Sequence, residues 1–89
     1  MFMDEKWYSD LKEKLDGYYT WPAPYTFKFI VPKGKEEEVR ALFPLHLATE
    51  RESSRGRYTS LTFVMPMTSS DAVIAVYQKA SVVEGLIAL

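Results

Sequence analysis

Eighty-nine residues make one domain, and 47% apolar with 15% aromatic residues supply the bulk for a core. Eleven Lys and Arg against twelve Asp and Glu leave a net charge of −1, which speaks against a partner held mainly through phosphates. Without cysteine there is no disulfide or thiolate-metal framework, and no window approaches the ~18 apolar residues of a membrane span.

The start, MFMDEK, lacks the basic-then-apolar run of a signal peptide, so a cytoplasmic setting is expected. Residues 4–16 predict an amphipathic helix, with Trp7, Leu11 and Leu15 at i, i+4 and i+8. Asp4 and Glu5 suit its positive end, and Gly17 is the expected stop. Such a helix either packs on its own domain, covers the sheet, or docks on a partner. Residues 17–25, GYYTWPAPY, are held extended by Pro22 and Pro24. Residues 25–31 alternate as a strand, with Tyr25, Phe27, Phe29 and Val31 facing a core and Thr26, Lys28 and Ile30 facing away. A helix is predicted over 35–43, with Val39, Leu42 and Phe43 as its buried stripe. Its glutamates at 36, 37 and 38 point about 100° apart, so they cannot converge on one metal ion.

A second strand is expected over 45–53, charged like an edge strand by Glu50, Arg51 and Glu52. Gly56 then supplies the positive φ of a hairpin turn, and 58–67 returns as a strand. Leu61, Phe63 and Met65 face its core side; Tyr58, Ser60, Thr62 and Val64 face out. A helix over 68–80, capped by Thr68 or Ser69, buries Val73, Val76, Tyr77 and Ala80. Residues 82–89, VVEGLIAL, close the chain as an unblunted apolar edge strand.

Removing the first helix leaves β-α-β-β-α-β. This α+β pattern is a ferredoxin-like sandwich, with two helices on one face of a four-stranded antiparallel sheet of order 4-1-3-2. The chain divides into a helical extension, 1–20, and a ferredoxin-like unit, 21–89.

Within that frame, Trp21, Pro22, Tyr25 and Lys28 lead into the first strand, Gly56, Tyr58, Ser60 and Thr62 form the hairpin, and Ser69 and Tyr77 mark the last helix. In these positions Trp21 to Leu89 resembles the YbeD-like family of small bacterial domains. Ala23 stands where that family carries a cysteine and Thr26 where it carries a second proline. The resemblance implies an ACT-like regulatory domain that pairs through its sheet and binds a small effector, with a lipoate-related label in some members.

The residues themselves offer no reaction. His46 is the sole histidine, without a second ligand for zinc or an elbow serine for acyl transfer, and there is no asparagine. No enzyme activity, cofactor or metal is expected. RGRYTSLTFV hints at a basic, aromatic RNA platform, but only Tyr58 offers an outward ring. Lys28, Arg51, Arg55 and Arg57 form a basic spot, with Glu50 and Glu52 beside it. Weak single-stranded RNA binding is therefore the disfavoured alternative. The favoured reading is a regulatory or adaptor domain. Its candidate contacts for a ligand or partner are Lys28, Arg57, Tyr58, Ser60 and Thr62, with homodimerisation through the outer face or the last strand as one route.

Overall fold

A computed structural model describes residues 5–89. In chain order they form α1 (Glu5–Tyr18), β1 (Ala23–Pro32), α2 (Glu36–Leu42), β2 (Thr49–Glu52), β3 (Tyr58–Met67), α3 (Ser70–Ala80) and β4 (Ile87–Ala88). The strands lie in the order β2-β3-β1-β4, each neighbouring pair antiparallel. This is the ferredoxin-like arrangement, preceded by one helix.

The long strands β1 and β3 pair from Ala23 opposite Met67 to Pro32 opposite Tyr58. Just past that end, Lys33 donates to the Arg57 carbonyl at 2.9 Å. Odd-numbered residues therefore exchange the β1–β3 hydrogen bonds. Even-numbered backbone groups point to the flanking strands, as Ser53 N–H to Tyr58 O (2.8 Å) and Leu89 N–H to Lys28 O (3.0 Å) show. Pro24, Pro32 and Pro66 are all even-numbered, so their missing N–H costs the central ladder nothing. That is why β1 begins at Ala23, two residues before the alternation in sequence suggests.

The same parity sorts the side chains. Phe27, Phe29, Val31, Leu61 and Phe63 are fully buried and join Val39, Val73, Tyr77 and Leu15 in one cluster. Each such side chain contributes roughly 1.5–3 kcal/mol by leaving water. Phe43 stacks on Phe29 with ring centres 6.1 Å apart and meets Phe63 edge-on at 5.3 Å. The Tyr25 and Tyr77 hydroxyls share a hydrogen bond of 3.0 Å at one end of this core. Burial, and then that hydrogen bond, push the Tyr77 phenol well up.

Both helices of the sandwich lie on this one face, and α1 joins them. Trp7 meets Tyr77 edge-on at 5.5 Å, Leu15 enters the core, and Lys12 bridges to Ser70 and Asp71 at 3.1 and 3.0 Å. Thus α1 extends the helical layer beside α3, and no described helix covers the other side of the sheet. It runs through Gly17 to Tyr18, where the Tyr19 amide still reaches the Leu15 carbonyl at 2.9 Å, so Gly17 is not the stop. Asp4 lies outside the described residues.

The three consecutive glutamates of α2 diverge. Glu36 accepts from Thr59 at 2.6 Å and the Gly34 amide at 2.8 Å, Glu37 pairs with Arg40, and Glu38 pairs with Lys35. The Thr59 hydroxyl and then the backbone amides hold the Glu36 carboxyl below its usual range. At α3 the cap is Ser69, whose side chain accepts from Ala72 N–H at 3.1 Å.

The outer strands are shorter than their sequence predicts. After Pro44 the chain turns and stays irregular until Thr49, so β2 covers only the last part of 45–53. Residues 81–86 turn instead of extending: Val83 donates to Ala80 and Leu86 to Val83. Gly85 completes that turn at φ 80°, with Pro32 so close that a Cβ would lie 2.8 Å from its ring. Only Ile87 and Ala88 then reach β1.

Candidate functional site: the outer sheet face

The even-numbered residues of β1 and β3 form the face turned away from the helices. Across it run three rows: Thr26 beside Val64, Lys28 beside Thr62, and Ile30 beside Ser60. β2 adds Thr49 next to Thr62 and Arg51 next to Ser60, and β4 adds Ile87 next to Ile30. Leu89, bonded to Lys28 through its amide, completes the central row. Val64 is 61% exposed and Tyr58 44% exposed, so apolar surface on this face is open to contact.

Charge on this face is one-sided. β2 alternates, so Glu50 and Glu52 share the parity of the buried Leu61 and Thr59, while Arg51 shares that of Ser60. Both acids are also occupied. Arg40 grips Glu50 with hydrogen bonds of 2.7 and 2.8 Å, and Lys33 holds Glu52. Those contacts raise both cations above their ordinary pKa, Arg40 first through Glu50 and Lys33 first through Glu52. Lys28 and Arg51 make no ion pair among the described residues. Both glutamates that neighbour the basic spot in chain order are thus paired with other cations, although Glu52 still borders the outer face beside Arg51. No Asp or Glu has outward parity in any of the strands.

Of the residues singled out in sequence, Lys28, Tyr58, Ser60 and Thr62 come together on this face. Ser60 turns its hydroxyl to the Arg51 carbonyl at 3.4 Å, and a shallow hollow of about 180 Å³ lies between Ile30, Arg51, Tyr58 and Ser60, with Glu52 and Ser53 at its hairpin end. Arg57 stands apart at the hairpin tip, opposite Lys33 and with the parity of the helix side. Tyr58 is the single ring on the outer face of the strands, too few for a base-stacking platform. Arg51 belongs to the site for a reason the alternation of 49–52 already contained, and Ile87 joins it by pairing with Ile30.

The geometry sets the meaning of the one sequence match. Residues 17–88 match the profile of a family described as "Protein of unknown function (DUF493)". The chain belongs to this family. The match takes in the whole sheet, α2 and α3, is consistent with the YbeD-like resemblance, and begins at the last turn of α1. Searches of curated proteins and of solved structures find no match to the DUF493 chain. No helix among its described residues is long and apolar enough to cross a membrane.

A second concavity escaped the sequence altogether. It lies on the helix side, between α3 and the irregular segment 43–48, with Met65 and Met67 of β3 at its base and Phe43 and Val76 beside them. No periodicity marks such a groove, because half of its wall is a segment without repeating structure.

Proposed function

We propose that this DUF493 chain is a non-catalytic adaptor or regulatory domain, ACT-like in architecture, that seats a protein segment on its outer sheet face. The observation that supports this reading is a partly apolar sheet face that no described helix covers, with two cations, Lys28 and Arg51, that make no ion pair among the described residues. Apolar contacts with Ile30, Val64 and Ile87 supply the driving force, and carboxylates from the partner meet Lys28 and Arg51. A second copy seated face to face would bring Lys28 and Arg51 against their like. Oligonucleotides would find charge but a single ring to stack upon. The absence of cysteine fits work in the cytoplasm.

The test is a photo-reactive residue placed at Thr62, with one at Glu13 on α1 as control, followed by mapping of the crosslinked peptides. Capture of acidic, apolar protein segments at 62 but not at 13, lost in a Lys28→Glu, Arg51→Glu double variant, is the expected result. Crosslinks from 62 only to a second copy, or to nucleic acid, would overturn it.

A further inference from the structure

The groove on the helix side differs from the outer face in both lining and charge. Its volume of about 410 Å³ lies in the range of small-molecule sites. Met65 closes the groove from beneath as part of the core, Met67 offers an unbranched thioether that adapts to irregular shapes, and Phe43 and Val76 make apolar walls. Leu45 stands at the rim 92% exposed, a large apolar side chain that no described residue covers. Water in such a groove gains few hydrogen bonds and is readily displaced by an apolar body.

The mouth carries one cation. The Lys79 ammonium sits 5.5 Å from the centre of the Phe43 ring and makes no ion pair among the described residues. The ring helps to hold it at the rim, above the groove and not stretched into solvent. His46, also on the rim, adds an imidazole and no negative charge. One fixed cation over an apolar trough selects a ligand with a single anionic head and an apolar body.

We propose that this groove binds a small monocarboxylate whose carboxylate pairs with Lys79 and whose apolar body lies on Met67 and Val76, under Leu45. The site is separate from the sheet-face reading: Met65 and Val64 are adjacent in β3 but point to opposite sides of the sheet. It would give the domain an effector site independent of its partner surface.

The experiment uses the full chain, ¹⁵N-labelled, titrated with decanoate and separately with decylamine. Decanoate is expected to give saturable shifts at the amides of Leu45, Met67, Val76 and Lys79. Decylamine should bind about fivefold more weakly, the contribution of one partly exposed ion pair. Lys79→Met should bring the two ligands to equal affinity, and Leu45→Ser should weaken both. Lys28→Glu, on the other face, should change neither, so failure here is distinguishable from failure of the sheet-face reading. Equal binding of both ligands by the unaltered chain, shifts centred on Thr62 and Val64, or no saturable shift at all would each overturn the proposal.

Discussion

The two faces of β1 and β3 share one backbone and one register, yet almost nothing else. On the inner face Phe27, Phe29, Leu61 and Phe63 are fully buried in one cluster with all three helices. On the outer face Lys28, Ile30, Thr62 and Val64 meet no helix. Because side chains alternate along a strand, adjacent residues have separate physical roles: one set is fixed by packing density, the other is free to be chosen for contact with something else. Substitutions that move stability should therefore fall on odd positions, and those that move recognition on even ones.

The largest effect tests the inner set. Phe63→Ala should cost about 3–5 kcal/mol, because Phe29 and Phe43 around it cannot close the void. For a domain this small, that loss lowers the unfolding midpoint by tens of degrees or leaves the chain unfolded, read by calorimetry. A shift of only a few degrees would show that the rings do not share a close-packed interior.

Next comes Gly85→Ala, where strand β4 is turned into place. A side chain at φ 80° costs about 1–2 kcal/mol, and the new Cβ would also press on Pro32 from 2.8 Å. Gly56→Ala is its control, at φ 68° with nothing within 4 Å of the added carbon. The variant at 85 should be the less stable of the two in urea. Equal losses would mean that Pro32 gives way freely. Ser69→Ala, which removes the α3 cap, should follow at about 1 kcal/mol, with Ser69→Asp restoring most of it.

A smaller effect depends on pH. Glu36 is held below its ordinary carboxyl pKa, first by the Thr59 hydroxyl. Its contribution to stability is therefore present above the unfolded-state value of about 4.3 and is lost as pH falls through the lower folded value. Thr59→Val removes that donor. The stability gap between this variant and the parent should stay below about 1 kcal/mol at pH 7, since the carboxylate is partly open to water, and shrink below pH 4 or so. A gap that widens in acid would contradict the assignment.

Much of this architecture was legible in the chain, for identifiable reasons. β3 matches its predicted span, Tyr58–Met67, because a hairpin glycine and strict alternation fix both its start and its parity. The order of elements and the aromatic core followed from the same periodicities. Boundaries failed where backbone hydrogen bonding, invisible in sequence, decided the outcome. Pro24 sits inside β1 because its nitrogen faces a flank, whereas Pro32 and Pro66 reflect the same rule at other positions. β2 and β4 shrank because residues 45–48 and 81–86 spend their backbone in turns and irregular chain. At the outer face, Lys28, Tyr58, Ser60 and Thr62 could be gathered from parity alone. Glu50 and Glu52 were set beside them by chain order, although the same parity places those acids on the opposite side.

That sorting of charge gives the smallest effect on folding and the sharpest comparison of the faces. Lys28 lies in the middle of the outer face without an ion pair among the described residues, so Lys28→Glu removes no contact that the fold uses. Its stability should stay within about 0.5 kcal/mol of the parent, as for surface changes away from caps and cores. Crosslinking from position 62 should nevertheless fall, because a carboxylate now meets the partner's own acids. Phe27→Leu, next to it in the chain but pointing the other way, should lower stability and leave crosslinking by the remaining folded protein unchanged. If the Lys28 variant instead unfolded early and crosslinked from position 62 as well as the parent, Lys28 would serve the fold and not the partner's acids.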